Sequence, residues 1–167
     1  MSCELTTGHN KQNCPSTGGT KSVVAYNMEK RTAITVANAV VTALTLTGNG
    51  YRIKPDMASI DFTETVTKSR ENNSLFYESK CTIVLKDDTV ETRALVDLIA
   101  KGFLGIIQEK VNGKNIHYGI ENGMTLESGE ITTGMNFEDL NGTTINLVGK
   151  EIEIAPSIDD AIIAGII

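Results

Sequence analysis

Residues 16–22 read Ser-Thr-Gly-Gly-Thr-Lys-Ser, and glycines beside Lys-Ser suggest a loop that cradles phosphate. Such a loop needs Gly, four residues, then Gly-Lys-Ser/Thr, with a strand before it and a helix after it. Here Thr20 separates Gly19 from Lys21, and no glycine occupies the earlier position. The next residues, Val23-Val24-Ala25-Tyr26, are strand-like. They do not open a helix whose N–H groups and dipole would hold an anion. The phosphate motif is therefore rejected, and the glycines are expected to shape a loop feeding the first strand.

Cys3, His9 and Cys14 could share a metal, but a fourth ligand is missing and the spacing is not that of a zinc knuckle. The chain has three cysteines, an odd and sparse set that argues against a disulfide framework. Cys81 reads as a small core residue. His117 has no evident Asp or Ser partner and is expected on a solvent or interface face. Asp87-Asp88 fits helix capping, while Glu151/Glu153 and Asp159-Asp160 fit solvated element ends. No nucleophile elbow is visible. No catalytic residue, cofactor or metal is expected, and the chain does not read as an enzyme.

The formal net charge is -6. That balance disfavours a surface that grips nucleic acid by neutralising phosphates, but suits one past which nucleic acid must slide. The length of 167 residues suggests one domain over 1–167. Residues 1–28 are polar, so no secretory h-region is expected. No apolar run approaches the roughly 20 residues that span a bilayer. These features point to no membrane and a cytosol-like compartment.

The elements follow from branching and breakers. Thr, Ile and Val together supply 49 residues, and branching at Cβ favours strands. Asn-Gly recurs at Asn49-Gly50, Asn112-Gly113, Asn122-Gly123 and Asn141-Gly142, a dipeptide suited to tight hairpins. A two-residue turn at Asn112-Gly113 sets Ile107 opposite Tyr118. It puts Ile116, Tyr118 and Ile120 on a buried face and points His117 away. Residues 59–85 predict a long hairpin. Ile60, Phe62 and Val66 lie on one face of its first strand, with Thr63, Thr65 and Thr67 on the other. On the return strand, Tyr77, Cys81, Ile83 and Leu85 alternate with Glu78, Lys80 and Thr82. Its tip is either a solvated loop or a projecting arm that contacts another subunit.

One helix is expected over about residues 88–101. Asp88 is its N-cap in a capping box with Glu91, Gly102 its C-cap, and Val90, Ala94, Leu95, Leu98 and Ile99 an apolar stripe against a sheet. Ile145 and Leu147 share a face of the last strand, with Ile152 and Ile154 in opposite phase. A bulge near Gly149 would reconcile the two. Residues 161–167 are uncharged and mostly apolar. They either complete the chain's own sheet or dock on a neighbour.

The order of these segments carries a resemblance. It runs from Phe62-Thr-Glu-Thr-Val-Thr-Lys-Ser-Arg-Glu-Asn-Asn73 through Phe76-Tyr77-Glu78, Thr82-Ile-Val-Leu85 and Glu91-Thr-Arg-Ala-Leu95. It continues through Asn112-Gly113, Glu121-Asn-Gly123, Ser128-Gly-Glu130 and Thr133-Gly134 to Asn141-Gly-Thr-Thr-Ile-Asn-Leu-Val-Gly-Lys-Glu151. This set, with Cys3-Glu-Leu-Thr6, Cys14 and Gly18-Gly19, resembles the tail tube (major tail) proteins of long-tailed bacteriophages of the Bacteroidetes-phage type. It covers most of the chain and is weakest over residues 32–55.

The resemblance implies a mainly β fold related to type VI secretion tube proteins: a β-sandwich or barrel of antiparallel strands with one flanking α-helix and a long projecting hairpin. It implies an N-terminal loop or arm over residues 1–20 and an apolar C-terminal tail over residues 157–167. It further implies a structural virion protein whose hexameric rings stack into a tube that conducts DNA without binding it specifically. Implied partners are copies of itself and other tail proteins (terminator, hub or baseplate, tape measure), with synthesis in the host cytoplasm. Carried onto this chain, the inter-ring contacts are Lys68, Ser69, Arg70, Glu71, Asn72 and Asn73. The residues that would dock a tail on another subunit are Ile162, Ile163, Ile166 and Ile167. Alternatives are another ring-forming tail or neck protein and a monomeric β-sandwich binding module.

Overall fold

The computed structural model describes residue 8 and residues 17–55, 59–136 and 138–167. Cys3, His9 and Cys14 lie outside the described residues, as does most of the N-terminal loop. The chain is mainly β, 54% strand against 14% helix. In order the strands are β1 (Thr20–Asn27), β2 (Arg31–Ala37), β3 (Val40–Leu46), β4 (Tyr51–Ile53), β5 (Ile60–Ser69) and β6 (Ser74–Lys86). Helix α1 (Val90–Lys101) precedes β7 (Leu104–Lys110), β8 (Asn115–Tyr118), β9 (Thr125–Thr132), β10 (Gly142–Glu151) and β11 (Ser157–Ile158), and α2 (Asp160–Ala164) follows. Seven strands form one sheet in the order β2-β3-β11-β8-β7-β1-β4, and four form another in the order β5-β6-β10-β9.

Strand β1 shows why the sheets lie as they do. Its Val23-Val24-Ala25-Tyr26 run does not alternate with polar residues, which is the mark of a strand buried on both faces. Val23 and Ala25 join Ile53, Ile106 and Tyr118 against Cys81, Ile83, Ile145 and Leu147 of the four-stranded sheet. Val24 and Tyr26 enter a second cluster on the opposite face, with Val41, Leu44, Ile107, Ile158, Ile163 and Ile166. This cluster links β1 to β3, which β11, β8 and β7 separate in the sheet, so the sheet curls around α2.

The tail therefore has a place inside the chain. Ile163 and Ile166 are buried in that second cluster, Ile162 packs against it and Ile167 is exposed. The Gly50 amide donates to the Ile166 carbonyl at 2.5 Å. Burying each isoleucine contributes about 1.5–3 kcal/mol. The segment forms a short helix where a strand or an intermolecular contact was expected.

Several local expectations are corrected. Ile107 faces His117, not Tyr118, and Gln108 faces Ile116. The Asn112-Gly113 turn thus holds one residue more than a two-residue loop, with Gly113 at φ 74 and its amide bonded to the Lys110 carbonyl. A three-residue loop ending in a left-handed residue is the next commonest hairpin connection. His117 points away from Ile116 and Tyr118, as expected, yet is buried, because the second cluster covers that face of the sheet too. Asn49-Gly50 joins β3 to β4, which do not pair. The β2–β3 hairpin turns on Asn38 and Ala39, at φ 53 and 60.

The α1 N-cap is Thr89, whose side chain accepts from the Thr92 amide, while Asp88 pairs with Arg93 at 2.5 Å. Gly102 is the C-cap, as expected. The stripe on α1 is only partly core: Ile99 is buried, but Val90 and Leu98 are 79% and 68% exposed. The bulge is not at Gly149. It falls between Asn146 and Leu147 in the pairing with β9, while β10 pairs with β6 without interruption to Glu151. Ile152 and Ile154 lie beyond the strand and are exposed.

Candidate functional site

The four-stranded sheet has a core face and an open face. On β6 and β10 the core face carries Cys81, Ile83, Ile145 and Leu147. The register places the opposite parity outside: Thr63, Thr65 and Thr67 on β5, Lys80 and Thr82 on β6, Thr144 and Asn146 on β10, Ser128 and Glu130 on β9. Side chains tie these strands together. Thr82 donates to Asn146 Oδ1 at 2.8 Å, and Asn146 Nδ2 donates to Ser128 Oγ at 3.0 Å. Lys80 lies 3.5 Å from Glu78 and 3.6 Å from Glu127, and Lys150 sits 5.5 Å from the centre of the Phe76 ring. The face is mainly polar, with Phe76, Val84 and Val148 among its residues, and these two lysines are already partnered.

Both margins of this sheet are open among the described residues. Strand β5, with ten residues, pairs only with β6, and β9, with eight, pairs only with β10. Unpaired edges present rows of free N–H and C=O groups, a template for another strand. The β5–β6 ladder runs from Ile60↔Ile83 to Ser69↔Ser74. Its far half leaves the core, since Val66 and Leu75 are 57% and 45% exposed. Lys68, Arg70, Glu71, Asn72 and Asn73 at the tip are exposed, and Ser69 is half-buried. The long hairpin is present.

A cleft of about 440 Å³ opens between the core face of this hairpin and the β2–β8 side of the larger sheet. Glu64, Tyr77, Ser79, His117, Glu121, Glu151 and Glu153 line it together with apolar Val36, Leu75, Ile152 and Ile154. Glu151 Oε1 accepts from the Glu121 and Asn122 amides at 3.1 and 3.0 Å, while its Oε2 is buried without a partner. Burial raises the Glu151 pKa, against the lowering by those amides. Glu64 Oε1 accepts from the Ala155 amide at 3.0 Å. The notion of Glu151/Glu153 as a solvated pair holds for exposed Glu153 but not for buried Glu151.

His117 does not act as a surface histidine. Its Nε2 is 2.8 Å from the Tyr26 hydroxyl, and the two rings stack. Burial, with the Arg31 charge adding to it, lowers its pKa to about 3. Burial pushes Tyr26 up to about 12. Neither group changes charge near neutral pH. Cys81 is buried, as expected, and burial drives its thiol pKa upward.

The glycine loop does what its sequence suggested. Gly19, at φ 105, leads into β1, and its carbonyl accepts from the Val111 amide at 3.2 Å. Among the described residues no cluster of three His, Cys, Asp or Glu could hold a metal. None of their helices is long and apolar enough to cross a membrane. Sequence reasoning missed the cleft, because its acids come from β5, the segment after β8 and the end of β10. The available signal was the pair of apolar residues Val66 and Leu75 beside the polar tip of the expected hairpin. Comparison with family models, curated proteins and solved structures finds no match.

Proposed function

We propose that the chain is a structural protein of a bacteriophage tail tube, with its two sheets packed as a β-sandwich and copies joined edge to edge into stacked hexameric rings. The observation that carries this is the four-stranded sheet, which ends on two long strands whose outer edges are unpaired among the described residues and turns a mainly polar face outward. Ring closure satisfies such edges by pairing β9 of one copy with β5 of the next. The outer face then lines the channel. Threonine, serine and asparagine there wet the wall, and the paired Lys80 and Lys150 leave few free cations to hold a phosphate backbone. DNA passes without a binding site. The net charge of -6 supports the same reading.

Negative-stain microscopy and sedimentation of the purified protein, across a concentration series, test this. Rings or tubes that increase with concentration are expected. A strictly monomeric protein at millimolar concentration overturns it. The cleft under the hairpin favours a second reading, a monomeric binding module, which would bind a ligand without assembling.

A further inference from the structure

The cleft between the hairpin and the larger sheet has a wall of one charge. Glu64, Glu121, Glu151 and Glu153 line it, and none of its lining residues is lysine or arginine. Two buried side chains in the same wall each leave a polar atom unpaired. Glu151 is 7% exposed; its Oε1 accepts from two amides, while Oε2 has no partner among the described residues. His117 is fully buried; its Nε2 meets the Tyr26 hydroxyl, while Nδ1 has no partner among the described residues. Buried polar atoms are nearly always satisfied, and leaving one unmade is costly. Two such atoms in one cleft wall call for groups that come from outside the fold.

The two atoms differ in what they need. Oε2 belongs to a carboxyl whose pKa is raised mainly by burial and further by the Glu121 charge. An added cation would offset both effects. At Tyr26, burial raises the pKa and the Arg31 charge acts against it. A cation beside a phenol oxygen turns the hydroxyl proton away from itself, here toward Nε2. The neutral imidazole then keeps its own proton on Nδ1, a donor without an acceptor. A ligand that satisfies both atoms carries a positive N–H group and a nearby carbonyl oxygen. The rim adds a third requirement, because Val36, Leu75, Ile152 and Ile154 line the cleft and are all exposed. The volume of about 440 Å³ is that of a small-ligand pocket.

We infer that the cleft binds the α-ammonium end of an apolar aminoacyl group. The ammonium lies among the four carboxylates against Glu151 Oε2, the carbonyl oxygen accepts from His117 Nδ1, and the side chain covers Ile152 and Ile154. Both polar atoms lie beneath the cleft wall, so binding draws them to its surface by a small shift of side chains. A free aminoacyl amide and a peptide N-terminus share this chemistry. The inference goes beyond the tube proposal and does not depend on it, since one copy supplies the whole cleft.

Calorimetric titration of the full chain tests it, with nuclear magnetic resonance of the His117 and Glu151 side chains locating the site. The probes are L-leucinamide, N-acetyl-L-leucinamide, glycinamide and the amide of the tripeptide Leu-Gly-Gly. L-leucinamide is expected to saturate and to move both signals. Acetylation removes the charge and should weaken binding about tenfold or more, and glycinamide, without the side chain, should bind about threefold more weakly or worse. Glu151→Gln should cost about tenfold. Glu121→Gln with Glu153→Gln changes exposed residues alone and should cost about threefold. Circular dichroism first establishes that each variant folds; if Glu151→Gln does not, the four probes on the wild type decide. Tighter binding of the tripeptide amide than of leucinamide assigns the site to peptide N-termini, and the reverse assigns it to free aminoacyl amides. No saturable binding, or equal binding of the acetylated probe, overturns the inference. So does a folded Glu151→Gln protein that binds like the wild type. Assembly is read separately by sedimentation, so none of these results touches the tube proposal.

Discussion

The Tyr26 hydroxyl lies 2.8 Å from His117 Nε2, with the ring planes nearly parallel and 5.6 Å between centres. The pair spans the larger sheet between β1 and β8 and holds a neutral imidazole inside it.

This pairing makes stability depend on pH. The folded His117 pKa of about 3 lies below its ordinary 6.5. The unfolded chain therefore binds a proton that the folded chain refuses, so the contribution is complete above pH 6.5 and is lost as pH falls toward 3. The slope in that window is about 1.4 kcal/mol per pH unit. Urea denaturation of wild type and His117→Gln between pH 7 and 4 should show the difference between them shrinking as pH falls. A difference independent of pH would exclude the buried neutral histidine.

Gly105 faces Tyr26 across the β1–β7 ladder, and a Cβ there would lie 2.2 Å from the tyrosine ring. Gly105→Ala must displace the ring and break its contact with His117. A loss of about 3 kcal/mol is expected, read as a lower urea midpoint at unchanged slope.

Ala39 sits at φ 60 in the second position of the β2–β3 turn, after Asn38 at φ 53. A left-handed residue with a Cβ costs roughly 1–2 kcal/mol, partly offset by the greater unfolded entropy of glycine. Ala39→Gly should stabilise the protein by about 0.5–1 kcal/mol, measured by thermal melting.

Burial raises the Glu151 pKa above the ordinary 4.5. A raised carboxylate contributes its full stability below that value and loses it as pH rises through the folded pKa. Relative to Glu151→Gln, the wild type should therefore be at its best in acid and lose ground toward neutrality. Equilibrium unfolding of both at pH 4 and pH 7 checks the sign.

Replacing Lys68, Ser69, Arg70, Glu71, Asn72 and Asn73 with a short Gly-Ser turn should leave the melting temperature within a few degrees, since the tip is exposed. Tubes should be absent or irregular in negative stain. Regular tubes would remove the tip from the assembly interface.

The sequence by itself determined what depends on neighbours along the chain. Branched residues set the mainly β character. The alternation of Tyr77, Cys81, Ile83 and Leu85 marked the core side of β6, and the polar run after Thr67 marked the hairpin tip. Gly102 ended α1, and the lack of a helix after Lys21 excluded a phosphate loop. These signals are local, so they survive without knowledge of partners.

Tertiary structure decided whatever depends on register and on distant surfaces. His117 points away from Ile116 and Tyr118, as alternation along the strand requires, but the second cluster covers that face of the larger sheet as well, so the imidazole is buried against Tyr26. The apolar tail could be read equally as internal or intermolecular. The curled sheet supplied a cluster that accepted Ile163 and Ile166. The α1 stripe had helical spacing, but the sheet beneath covered Ile99 and not Val90 or Leu98. The acidic cleft exists only where β5, β8 and β10 meet, and their acids are far apart in sequence. No periodicity along a chain encodes such a meeting.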